Sequence, residues 1–133
     1  MTFLAGLLAP VLMLFHLSGP VPADLGVSNG ALRDCPTTAH CSSQTWASSD
    51  PMADFSKLSG LVQESPRTVV IDQTETYLHA EASSAFFGFV DDLELFADRD
   101  NNRIQARSES RLGESDLGVN AARLAALRSG LES

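Results

Sequence analysis

Apolar residues recur at two spacings along this chain, and the change from one to the other marks its elements. In "SSDPMADFSKLSGLVQESP", which begins at Ser48, Met52, Phe55, Leu58 and Val62 fall three or four apart, the period of a helix with one apolar stripe. Asp50 before Pro51 supplies an N-cap followed by proline at the first helical position, and Ser65-Pro66 ends the segment. From Arg67 the period becomes two. "RTVVID" (67–72) opens a β region, and in "ETYLHAEA" Leu78, Ala80 and Ala82 alternate with Tyr77, His79 and Glu81. "FFGFVDDLELFA" has the composition of a central strand, with Gly88 as a candidate bulge. "DRDNN" is turn composition, and "RIQARSES" then alternates Ile104, Ala106 and Ser108 with Arg103, Gln105, Arg107 and Glu109. A turn centred between Arg99 and Asp100 sets Leu95 opposite Ile104, Leu93 opposite Ala106 and Asp92 opposite Arg107, the last as an ion pair. The closing "LGVNAARLAALRSGLES" returns to helical spacing, with Val119, Ala122, Leu124, Ala126 and Leu127 as the apolar face, Arg123 and Arg128 on the polar one, and Gly130 as a C-cap.

These elements predict an α+β fold: an antiparallel three- to four-stranded sheet with an N-terminal and a C-terminal helix packed on one face. The other face is left for solvent, a ligand or a partner. A chain of 133 residues, 44% hydrophobic and 20% charged, suits one globular domain with one core.

Ahead of this domain, "FLAGLLAPVLMLFHL" (3–17) carries no Asp, Glu, Lys or Arg. It is shorter than the roughly 20 apolar residues a bilayer-crossing helix needs, and it matches the apolar core of a secretory signal. Gly19, Pro20 and Pro22 then break the run, and Val21 to Ala23 offer small residues to a signal peptidase. Residues 1–23 are therefore read as a signal peptide or an uncleaved N-terminal anchor, 24–50 as a loop-rich segment, and 51–133 as the α+β domain. Both readings of the leader imply export, to the periplasm, the cell envelope or a comparable lumenal compartment. In such an oxidising place Cys35 and Cys41 are expected to form a disulfide. His40 beside Cys41 has no further ligands at zinc-like spacing, so neither a metal nor a cofactor is expected. Seventeen acidic against nine basic residues give a net charge of -8, which disfavours nucleic acid and anionic membrane surfaces as partners. Membrane contact is then expected only through an uncleaved anchor.

The candidate chemistry gathers in "RSESRLGESDLGVN" (107–120), a loop between a strand and a helix, where backbone N–H groups, Arg111 and Arg123 suit an anion. Glu109, Glu114 and Asp116 oppose that reading. The favoured alternative is turn chemistry: Asp116 or Ser115 as N-cap, Gly113 and Gly118 at unusual backbone angles, and the arginines paired with Asp91 and Asp92. The ligand-binding candidates are Asp91, Asp92, Arg107, Arg111, Asp116, Asn120 and Arg123. Adjacent strand residues point to opposite faces, so Asp91 and Asp92 form an acid/base dyad only if a bulge reorients one of them. Residues 98–109 carry acids and amides at some calcium-loop positions, but Arg103 stands where that loop needs glycine, and a hairpin turn is favoured. Tyr77, His79 and Glu81 share one polar strand face.

Several spaced pieces resemble one family. They are Cys35-Pro36 with Cys41-Ser42-Ser43, "YLHAE" at Tyr77 to Glu81, "FGFVDD" at Phe87 to Asp92, and "RSxSRxGxSDLGVNxxR" from Arg107 to Arg123. Together they resemble the domain of unknown function 1499 family, over about the last hundred residues. The chain departs from it at His40, where the family usually has Asn. The resemblance implies export and a single domain, and names no reaction. The sequence thus predicts an exported, non-enzymatic binding or structural module of the cell envelope, with an unidentified protein or small ligand as partner. The alternative is an enzyme or an anionic small-ligand binder with its site near Asp91, Asp92, Arg107, Arg111 and Asp116.

Overall fold

The computed structural model describes residues 19–84 and 88–133. The leader reading falls on residues outside this range, apart from Gly19 to Ala23. The elements run β1 (Val27–Ser28), β2 (Ala31–Leu32), β3 (Cys41–Ala47), α1 (Pro51–Glu64), β4 (Thr68–Gln73), β5 (Tyr77–Ser83), β6 (Val90–Asp98), a 3-10 turn (Arg99–Asn101), β7 (Arg103–Ser110) and α2 (Val119–Glu132).

Helix α1 begins as its sequence dictates. The Asp50 side chain accepts from the Ala53 N–H, Pro51 fills the first turn, and Phe55, Leu58 and Val62 are buried. Five antiparallel strands form the main sheet in the order β3-β7-β6-β5-β4. Strands β4 to β7 make the expected meander, and β3 adds a fifth strand against β7, with Cys41 opposite Glu109 and Trp46 opposite Ile104. The sheet therefore has one or two strands more than expected. The helix read as N-terminal is central in the chain, because three strands precede it. Strand β3 escapes a period-two reading because "CSSQTWA" has only Cys41 and Trp46 buried among small and polar residues.

Both helices pack on one sheet face. Phe55, Leu58 and Val62 of α1 and Leu124 and Leu127 of α2 share one core with Trp46, Leu78, Leu93, Leu95, Ile104 and Ala106. Arg128 lies over the Trp46 ring at 5.8 Å, a cation-π contact that ties α2 to β3. Gly130 is not the C-cap, since α2 runs on to Glu132. It sits where the helices meet: a Cβ there would lie 2.9 Å from Leu61 Cδ1.

The β6–β7 hairpin corrects the expected register by two residues. Leu95 faces Ala106, Leu93 faces Ser108, and Arg107 faces Glu94 instead of Asp92. The cause is the turn. Arg99–Asn101 form a 3-10 turn closed by Asn102 at φ 50, so the loop takes four residues and its centre moves towards the C-terminus. Asp98 is held by Asn101, Arg103 and Gln105, which consumes the first acid of the calcium-like pattern.

The second sheet face is covered over β6 and β7, while Val69 on the β4 edge stays exposed. The β1–β2 hairpin turns at Asn29-Gly30, both at positive φ, and lies across β6 and β7. The Leu32 N–H donates to Gln105 Oε1, Gly26 N–H donates to Glu94 Oε2, and Gln105 Nε2 donates to the Gly30 carbonyl. The Cys35–Cys41 disulfide closes the loop behind this strap. Its reduction is expected to lower stability by about 2 kcal/mol, the chain-entropy value for so short a loop. A denaturant midpoint unchanged by reduction would remove the staple from the account.

Candidate functional site

Beneath the β1–β2 strap the sheet carries a layer of charged side chains from β5, β6 and β7. Arg107 is fully buried, 3.6 Å from Glu94 and 2.7 Å from Glu109. Arg33 reaches the same Glu109 from the strap and also pairs with Asp24. Glu94 accepts from the Tyr77 hydroxyl at 2.7 Å. Burial, reinforced by this bond to a carboxylate, pushes the Tyr77 phenol up from its ordinary value. Two strand positions further along, Arg111 donates to Asp92 at 2.8 and 2.9 Å and to Glu81 at 2.7 Å, while His79 Nε2 meets Asp92 at 2.7 Å. Tyr77, His79 and Glu81 do share one face, and that face is a buried network in which each has a partner on β6 or β7 or in the loop after β7.

The Asp92 carboxyl is pulled up by burial, but hydrogen bonds and charge from Arg111 and His79 outweigh this and hold it below the usual carboxylate range. The bonds from Asp92 and Glu81 push Arg111 up in turn. His79, Glu81 and Asp92 bring three metal-type ligand atoms within 4.8 Å of one another. The Arg111 guanidinium bonds to both carboxylates of this group, so the cluster already has its cation.

Asp91 points to the opposite face, as strand alternation requires, and pairs with Arg123 at 2.9 Å. Asp91 and Asp92 therefore share neither a proton nor a pocket. The loop after β7 is turn chemistry: Gly113 and Gly118 lie at positive φ, and Asp116 accepts from the Gly118 and Asn120 N–H groups at the start of α2. The formal N-cap is Gly118, with Asp116 capping from two residues before it. Fully buried Asn120 knots this corner, receiving Ser108 Oγ–H and donating to Asp116, Ser110 and the His40 carbonyl.

The seven candidate residues thus fall into two groups. Asp92, Arg107 and Arg111 belong to the charged layer, while Asp91, Arg123, Asn120 and Asp116 form one chain on the helix side, with Arg123 donating to Asn120 at 3.0 Å. They do not converge on one cleft. Arg33, Glu94 and Glu109 complete the layer; only the Asn29-Gly30 hairpin signal hints in the sequence that a strap would cover them.

Asp98 and Asp116 behave like Asp92. Burial raises each, and hydrogen bonds to Arg103, Asn101 and Gln105, or to Asn120 and the Gly118 N–H, bring each below the ordinary value of 3.8. A depressed folded-state pKa contributes stability that is complete above the unfolded value and lost as pH falls through the folded one. The urea midpoint is therefore expected to be level from pH 7 to about 5 and to fall below about 4. A midpoint already falling between pH 7 and 5 would assign acid sensitivity to other groups.

The architecture defines a class: an α+β domain in which a five-stranded antiparallel sheet carries two helices on one face and a strapped charge layer on the other. The family model described as "Protein of unknown function (DUF1499)" matches residues 23–131, and the chain belongs to that family. No curated protein and no solved structure matches the chain.

Proposed function

We propose that this chain is an exported, non-enzymatic binding module of the cell envelope or a comparable lumenal compartment. The observation that carries the reading is the pairing of the candidate charges. Arg107, Arg111 and Arg123 each hold a carboxylate, and the Asp92 and Asp116 carboxyls sit below their ordinary pKa, which suits architecture and not proton transfer near neutral pH. The Cys35–Cys41 disulfide supports an oxidising compartment. Binding capacity then resides in clefts outside the charge layer.

Thermal unfolding of the full chain against a panel of phosphates, carboxylates, metal ions and small envelope amphiphiles tests the reading. A ligand at about 100 times its Kd adds about 2.7 kcal/mol and shifts the midpoint by several degrees. The expected result is stabilisation by a panel member that is recovered chemically unchanged. Turnover of any panel compound by the purified chain would sink the non-enzymatic reading.

A further inference from the structure

A groove of about 440 Å³ opens between the end of α1, the β4–β5 edge and the outer side of α2. Its floor includes the buried Ala82, Leu93 and Leu127, and its walls include Leu61, Pro66, Val119, Ala122 and Ala126. Val119, Ala122 and Ala126 belong to the apolar stripe of α2, yet all three are exposed there, because α2 turns Asn120, Leu124, Leu127 and Leu131 inwards instead. The volume is that of a small-molecule site, within the usual range of about 300 to 1,000 Å³.

Charge says what kind of molecule. In a chain with seventeen acidic residues, the described lining of this groove contains no Asp or Glu and two arginines, Arg67 and Arg123. Three other clefts each have a carboxylate in their lining: Asp92 and Glu109, Asp116, and Glu75. Arg67 uses Nε on the Ser83 carbonyl and has no carboxylate partner among the described residues. Arg123 spends Nη1 on Asp91, Ser108 and Asn120, leaving Nε and Nη2 without a partner among the described residues. The hydroxyl-bearing Ser65, Thr68 and Ser83 are the remaining polar lining.

We propose that this groove binds a free fatty acid, its acyl chain on the apolar floor between α1 and α2 and its carboxylate drawn to the guanidinium groups of Arg67 and Arg123. The inference rests on the binding reading above and gives it a ligand class. An uncharged amphiphile would use the floor but not the arginines, and a cationic one would meet repulsion.

The test is calorimetric titration of the full chain with decanoate, octanoate, decanol and decyltrimethylammonium, all below micellar concentration. Expected are one saturable decanoate site per chain and a loss of about fourfold for each methylene removed. Arg67→Gln, at an exposed residue, should weaken decanoate about tenfold and leave decanol unchanged. Ala126→Trp, an exposed wall position, should abolish both. Decanoate binding that survives Ala126→Trp, or decanol and the ammonium amphiphile binding as tightly as decanoate, would overturn the proposal. A ligand from the earlier panel that binds without turnover and is indifferent to Ala126→Trp would leave the binding reading standing and remove the fatty-acid site. Turnover would remove the binding reading itself.

Discussion

Replacing Arg107 by Met is expected to cost the domain about 4 kcal/mol, the order found when one member of a buried ion pair is left behind. Arg107 and Glu94 are both wholly buried. Arg107 faces Glu94 across β6 and β7, and it also bonds to Glu109. Without the guanidinium, Glu109 still has Arg33, but among the described residues Glu94 retains only the Tyr77 hydroxyl and the Gly26 N–H. The carboxylate would be stranded in a layer from which the strap excludes water. Arg107 is not perfectly satisfied even now, as Nε, Nη1 and Glu94 Oε1 lack hydrogen-bond partners among the described residues. Hence the pair Arg107→Met with Glu94→Gln should recover at least half of the loss, because it removes both charges. Urea unfolding of the single and double variants reads this directly. A single variant that loses less than about 1 kcal/mol would mean that water enters the layer and screens it.

Asp92→Ala is expected to cost about 3 kcal/mol, less than the first substitution because Glu81 still neutralises Arg111. It also strips His79 of its partner at 2.7 Å. The acid limb of the stability profile should become shallower in the same variant, since one of the depressed carboxyls has been removed. If Asp92→Ala keeps full stability, Asp92 is not an architectural residue and the enzyme alternative regains its best acid. The two substitutions lie in one layer, so their effects are expected to couple and not to add.

Much of the helix face was legible because local chemistry and packing agree there. Asp50-Pro51 starts α1, and Leu78, Ala80, Leu93 and Ile104 enter the core at the alternation their sequence shows. That the loop arginines pair with Asp91 and Asp92 was also legible, but not which takes which, and the expected Asp92–Arg107 pair is replaced by Asp92 with Arg111 and Asp91 with Arg123. What could not be read is non-local. The register of β6 on β7 depends on a 3-10 turn ending in a left-handed Asn102, which composition alone does not separate from a tighter turn. The burial of Arg107 and Glu94 depends on a strap some 70 residues away in sequence, and no periodicity on β6 and β7 encodes its arrival. An alternating polar face reads as solvated until the covering segment is known.

Strand β3 is expected to join the sheet late. Its partner is β7, so Cys41 meets Glu109, and Trp46 meets Ile104, only by closing a loop that spans the helix and the β4–β6 strands between them. The backbone of Ala39 and His40 waits still longer, for Asp116, Ser110 and Asn120. Pairings of such high sequence separation must bear their loop-closure entropy before they return any stabilisation, which makes the edge of this sheet a late event. A chain emerging from its N-terminus can form α1 and successive hairpins early. The docking of the strap and the sealed charge layer are completed only when nearly all of it is present.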